Sequence, residues 1–82
     1  MPLFRYLITR GPETRTVDLR KSNPQGWLLQ AVKEAFPEVA SRRAGDISRL
    51  RLEPLEGVRQ SWRATLPDEP DDLRIEVAQM RR

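Results

Sequence analysis

Residues 3–20 read LFRYLITRGPETRTVDLR, and the alternation within this stretch decides the fold class. Phe4, Tyr6 and Ile8 fall on one side of an extended chain and Arg5, Leu7 and Thr9 on the other, which predicts a strand over Leu3–Arg10. Gly11-Pro12-Glu13 reads as a turn, because proline presets its own φ and glycine tolerates unusual backbone geometry. From Arg15 to Arg20 the alternation resumes, with Val17 and Leu19 inward and Thr16, Asp18 and Arg20 outward. The two segments together predict a β-hairpin.

The period changes after Ser22. Trp27, Leu28, Ala31, Val32, Ala35 and Phe36 make one apolar stripe at helical spacing, predicting a helix within Ser22–Phe36. Asn23 before Pro24 is the preferred N-cap, with the Ser22-x-x-Gln25 capping box as the alternative. Pro37 ends the helix, since it lacks an amide and disfavours helical geometry at Phe36. Glu38–Ala44 reads either as a second helical turn stopped by Gly45 or as a loop.

Three further strands are expected. Arg49–Glu53 alternates, Pro54–Gly57 turns, and Val58–Leu66 sets Val58, Gln60, Trp62, Ala64 and Leu66 against Arg59, Ser61, Arg63 and Thr65. Pro67–Asp72 is an acidic loop, and Leu73–Val77 is the last strand. The expected order is β-β-α-β-β-β: an α+β two-layer sandwich with one helix packed on a four- to five-stranded sheet. That order resembles the β-grasp arrangement of ubiquitin-like domains, which implies first and last strands paired in parallel. The chain ends Gln79-Met80-Arg81-Arg82 without a terminal diglycine, so conjugation chemistry does not follow from the resemblance. An antiparallel meander fits the same pattern.

With 82 residues the chain makes a single small domain, with an acidic loop at 67–72 and a short basic tail at 78–82. It has no His and no Cys, which excludes thiolate and imidazole chemistry, disulfides and Cys/His zinc sites. No catalytic residue, metal ligand or cofactor is assigned. The absence of a signal-peptide pattern and of any long apolar run predicts a cytoplasmic protein without a membrane span. Net charge is +3, and 13 of the 15 cations are arginine. Guanidinium groups suit bidentate contact with phosphate or carboxylate, although codon bias also enriches arginine over lysine at surface positions.

Placed on the expected strands, Arg5, Arg20, Arg49, Arg51, Arg59, Arg63 and Arg74 project from the face opposite the helix, with Asp18, Glu53 and Glu76 among them. This candidate Arg face would track a phosphate backbone, or else form an ordinary solvated surface of cross-strand pairs. Asp68, Glu69, Asp71 and Asp72 form a second candidate surface, suited to a basic patch on a partner. The two Trp and two Phe lie on inward positions, which argues against base stacking and assigns Trp27 and Trp62 to the core.

The opening Met1-Pro2-Leu3-Phe4 resembles the start of the 4-oxalocrotonate tautomerase family. The resemblance implies Pro2 as general base once Met1 is removed, with Arg10 or an arginine of a later strand as carboxylate clamp. It covers four residues, and the chain departs from that pattern by running into a second strand where the family has a helix. The leading expectation is a non-enzymatic protein-binding module of adaptor or inhibitor type, acting through charged surfaces and a sheet edge. Its size is typical of proteins carried by phages and mobile elements. Nucleic-acid binding by the Arg face is the alternative.

Overall fold

The computed structural model describes residues 1–80. It consists of β1 (Leu3–Arg10), β2 (Glu13–Arg20), a 3-10 turn (Gln25–Trp27), and helices α1 (Leu28–Ala35), α2 (Pro37–Arg42) and α3 (Ala44–Arg49). Strands β3 (Glu53–Pro54), β4 (Ser61–Leu66) and β5 (Leu73–Met80) follow. The α+β two-layer expectation holds: all five strands form one antiparallel sheet, in the order β2-β1-β5-β4-β3, with the helices on one face.

The strand order departs from both finer expectations. β1 and β5 are neighbours, as in a β-grasp, but they run antiparallel. Nor is the sheet a plain meander, because the chain leaves at the β2 edge, crosses the inner face as helices, and re-enters at the opposite edge as β3. From there it returns through β4 to β5 at the centre.

The hairpin closes with Gly11 and Pro12 alone, since Arg10 already pairs with Glu13. Gly11 has φ +60°, and the proline that follows is held negative by its ring, which is the sign sequence of a type II′ turn. The inner face of the hairpin is the one expected: Phe4, Tyr6, Ile8, Val17 and Leu19 are buried. So are Ile75 and Val77 of β5, beneath Leu28, Ala31, Val32 and Ala35 of α1. Fully burying one such aliphatic side chain contributes about 1.5–3 kcal/mol, so a chain this small depends on most of them. Tyr6 is fully buried, and its hydroxyl donates to the carbonyl of Pro24 at 2.8 Å. Burial pushes its phenol pKa up to about 12.

The helical layer is more broken than the stripe suggests. Asn23 does cap the entry, its Oδ1 accepting the Gly26 amide at 2.9 Å, but the first turn is 3-10 and α1 begins at Leu28. Pro37 forces Phe36 out of helical geometry (φ −137°, ψ 78°) and then opens α2 as its first residue. Glu38–Ala44 is therefore mostly helical. Gly45 does not stop a helix there; it lies inside α3, whose Ile47 is fully buried.

Two expected strands are shortened. Residues 49–53 were expected as a strand, but α3 takes Arg49 and only Glu53 enters the sheet. Leu50 and Leu52 still pack on the core from an extended segment, so the alternation is real while its hydrogen bonds go elsewhere. Gln25 takes the place of a neighbouring strand: its Nε2 donates to Leu50 O at 2.7 Å and its Oε1 accepts from Leu52 N at 2.7 Å. Similarly, β4 starts at Ser61 and not at Val58, because Gln60 adopts φ +55° and breaks the extended run. Val58 is left exposed. At the other end, Ala78–Met80 of the expected tail continue β5, and Arg81 and Arg82 lie outside the described residues.

Gln25→Ala removes both bonds to residues 50–52 and leaves a half-buried donor and acceptor unpaired. Urea denaturation should show a loss of about 1–2 kcal/mol, with the midpoint shifting and the slope unchanged. A loss below about 0.3 kcal/mol would mean that the segment is held by Leu50 and Leu52 alone.

Candidate functional site: the uncovered sheet face

Paired residues in an antiparallel sheet share a face, so the register places every side chain. Leu3, Arg5, Leu7 and Thr9 of β1 face away from the helices, in line with Arg20, Asp18, Thr16 and Thr14 of β2. Met80, Ala78, Glu76 and Arg74 of β5 continue the same rows, followed by Ser61, Arg63 and Thr65 of β4 and by Glu53 of β3. Among the described residues no helix lies over this face.

Four of the seven arginines expected on that face are there: Arg5, Arg20, Arg63 and Arg74. Arg49, Arg51 and Arg59 are not. Arg49 ends α3, where its guanidinium binds Asp46 at 2.8 Å. Arg51 is exposed between the two leucines of the extended segment, and Arg59 is exposed in the turn before β4. The correction has one cause: neither 49–52 nor 58–60 is in the sheet, so alternation there does not assign a sheet face.

Those four arginines do not make a uniform positive field. Asp18, Glu53 and Glu76 share the face, so the balance of charged groups is four cations to three anions. Arg5 holds Asp18 with both prongs of its guanidinium, at 2.9 and 3.0 Å, and this bond keeps the Asp18 carboxyl below its usual range. Glu53 and Glu76 stand on either side of Arg63 in the register. Arg63, Thr65, Arg74 and Glu76 border a shallow depression with Leu55 at its rim. Along β1 apolar and polar side chains alternate: Leu7 is 41% exposed, Leu3 and Met80 lie side by side, and Arg5 stands between Leu3 and Leu7.

The acidic loop is resolved into two parts. Asp68, expected as a docking carboxylate, is committed internally: its side chain is only 6% exposed and meets Arg10 at 3.2 Å, Arg42 at 3.0 Å and Arg43 at 3.0 Å. The Arg42 fork foremost, then the Glu69 backbone and the charge of Arg10, hold the Asp68 carboxyl far below the usual range. Asp68 thus ties the end of β1 and the end of α2 to the β4–β5 loop. Glu69, Asp71 and Asp72 remain exposed, with Asp72 accepting the Asp68 amide at 3.1 Å. Nothing in the spacing of the sequence marks this cluster, since Arg10, Arg42, Arg43 and Asp68 come from three separate segments.

Both tryptophans are partly buried and pack against the core. Trp62 packs edge-on against Phe4 with centroids 6.1 Å apart, and Lys21 lies 3.9 Å over the ring of Trp27. Pro2 and Arg10 flank β1 about 26 Å apart at about 3.3 Å per residue, and Arg10 is engaged by Asp68, so of the arginines considered beside Pro2, Arg10 is not placed near it. Among the described residues no group of three or more carboxylates is placed to hold a metal ion, and no helix is long and apolar enough to cross a membrane.

Asp18, Asp46 and Asp68 all have pKa values lowered by arginine partners. A carboxylate whose folded-state pKa is lowered adds stability that is present above its ordinary value of 3.8 and is lost as pH falls through the folded value. With no histidine in the chain, stability should stay flat from about pH 6 to 8 and decline once the pH drops below about 4. Asp68→Asn should be less stable than the parent chain at pH 7 and show a shallower decline in acid. Denaturation midpoints at about pH 7, 4 and 2.5 test this; parallel acid declines for the two chains would contradict it.

Comparison with protein-family models, curated proteins and solved structures gives no match for this chain.

Proposed function

We propose that this chain is a non-enzymatic protein-binding module of adaptor or inhibitor type, and that the uncovered sheet face is its binding surface. The observation that supports this reading is the composition of that face. Leu7, Ala78 and the Leu3–Met80 pair set apolar side chains along β1 and β5, and charges of both signs stand among them, with Arg5 opposite Ala78 and Glu76 opposite Leu7. Apolar side chains interspersed with arginine and with charges of both signs match the composition of a non-obligate protein–protein interface, which is about as apolar as ordinary protein surface. It suits a folded partner better than a polyanion, because Glu53 and Glu76 beside Arg63 would repel phosphates. Buried placement of both Phe and of Tyr6 also leaves the face without rings on which bases would stack.

The second reading, nucleic-acid binding, is favoured by one feature: Arg63 and Arg74 flank the same depression beside the Thr65 hydroxyl. Its prediction is steep salt dependence, since each phosphate neutralised releases counterions.

The test uses the tagged chain, a face variant carrying Leu7→Asp and Arg63→Glu, and a Lys33→Glu control on the helical layer. Each is used to capture partners from nuclease-treated extract of the cells that express it, and each is titrated against generic DNA and RNA at about 50 and 200 mM salt. The expected result is one protein retained by the parent chain and the control, lost from the face variant, with no salt-sensitive nucleic-acid binding. Nucleic-acid affinity that falls about tenfold or more with salt, and disappears in the face variant, would overturn the protein-binding reading.

A further inference from the structure

The two edges of the sheet are built differently. β3 is two residues long and includes Pro54, which has no N–H to offer; short strands and proline are means by which sheets avoid edge-to-edge pairing. β2 has eight residues, pairs with β1 at every position, and contains neither proline nor bulge.

The free groups of β2 follow from the hydrogen-bond phase. Lys21 donates to Pro2 O at 3.2 Å, and the register sets these two residues opposite each other, so they are a bonded pair. Bonded pairs alternate in an antiparallel ladder, which makes Phe4–Leu19, Tyr6–Val17, Ile8–Arg15 and Arg10–Glu13 the bonded pairs between β1 and β2. The far side of the sheet gives the same phase independently. Gln79 donates to Gln60 O at 3.0 Å, so Arg5, Leu7 and Thr9 of β1 bond to β5 and their neighbours are left for β2. The N–H and C=O groups of Thr14, Thr16, Asp18 and Arg20 therefore point away from the sheet, and among the described residues they meet no backbone partner.

We propose that β2 pairs antiparallel with β2 of a second copy of this chain, about a two-fold axis at Val17, joining two sheets edge to edge. The phase restricts the register, because each outward residue must face another outward residue. With the axis at Val17, Thr14 faces Arg20 of the second copy and Thr16 faces Asp18, each pair exchanging both backbone bonds. Val17 meets its own counterpart, and Glu13 meets Lys21, so opposite charges close both ends and no like charges face each other. An axis at Asp18 would set two aspartates in opposition, and an axis at Thr16 would set Leu19 against Glu13. An axis at Arg15 would oppose two arginines, and an axis at Leu19 would pair Asp18 with Arg20 but overlap only three residues of the strand, so charge and length together select the Val17 register, which favours a second copy over an unrelated extended peptide. The pairing leaves Leu7 and Arg63 uncovered, so it holds or fails independently of what the open face binds.

Sedimentation equilibrium of the full chain from about 1 µM to 1 mM, with circular dichroism to verify folding, tests this. The parent chain should show a monomer–dimer equilibrium. Thr16→Pro removes only an outward N–H, and Glu13→Lys sets lysine against Lys21 of the second copy; each should weaken the dimer about tenfold or more. Glu13→Lys combined with Lys21→Glu should restore it. A parent chain that stays monomeric throughout, or a dimer unchanged in folded Glu13→Lys, overturns the proposal. Should Thr16→Pro fail to fold, Glu13→Lys and its reversal decide the matter by themselves.

Discussion

Antiparallel pairing between β1 and β5, the first and last strands, is the contact on which the rest of the structure depends. Every residue from Leu3 to Arg10 is opposite one from Met80 to Leu73, and among the described residues this seam alone joins the N-terminal hairpin to the C-terminal β3-β4-β5 meander within the sheet. Because the two halves meet at their inner strands, β2 and β3 become the edges. The chain between them must cross the sheet, and the apolar inner face fixes which way it goes. The helices are that crossing, and placing them all on one side leaves the other side open.

Several otherwise separate features act to hold the crossing in place. Tyr6 on β1 anchors Pro24 at the entry, Gln25 clasps residues 50–52 at the exit, and Asp68 collects Arg10, Arg42 and Arg43 at the far end of β1. Arg15, reaching from β2 over the ring of Phe36 to the carbonyl of Ala35, closes the end of α1. These are polar contacts at the border of a small core, where burial alone is thin. They also account for the charge pattern, since many of the arginines that look like a binding surface in composition are occupied in holding the fold.

The inner faces of the hairpin, the stripe of α1 and the inward residues of β5 were legible in the sequence, because period two and period 3.6 differ clearly over eight or more residues. Shorter stretches were not. Arg49–Glu53 alternates, yet Ile47 and Leu50 also fit helical spacing, and the side chain of Gln25 supplies the bonds that a strand would otherwise need. Gln60 carries no glycine-like signal for its positive φ, so the start of β4 was misplaced, and Arg59 with it. The insertion of β5 between β1 and β4 is a long-range choice that no local pattern encodes. For the same reason Arg5, Arg20, Arg63 and Arg74 were correctly placed on the open face, while the role of Asp68 depended on three segments meeting.

Residue-resolved amide hydrogen exchange at low protein concentration tests the central seam most directly. If β1 lies between β2 and β5, the amides of Arg5, Leu7 and Thr9 are as protected as those of Tyr6 and Ile8, whereas in β2 the amides of Thr16 and Asp18 exchange far faster than that of Val17. Fast exchange at Arg5, Leu7 and Thr9, making β1 alternate as an edge strand does, would contradict the pairing of β1 with β5 and with it the open face built across that seam.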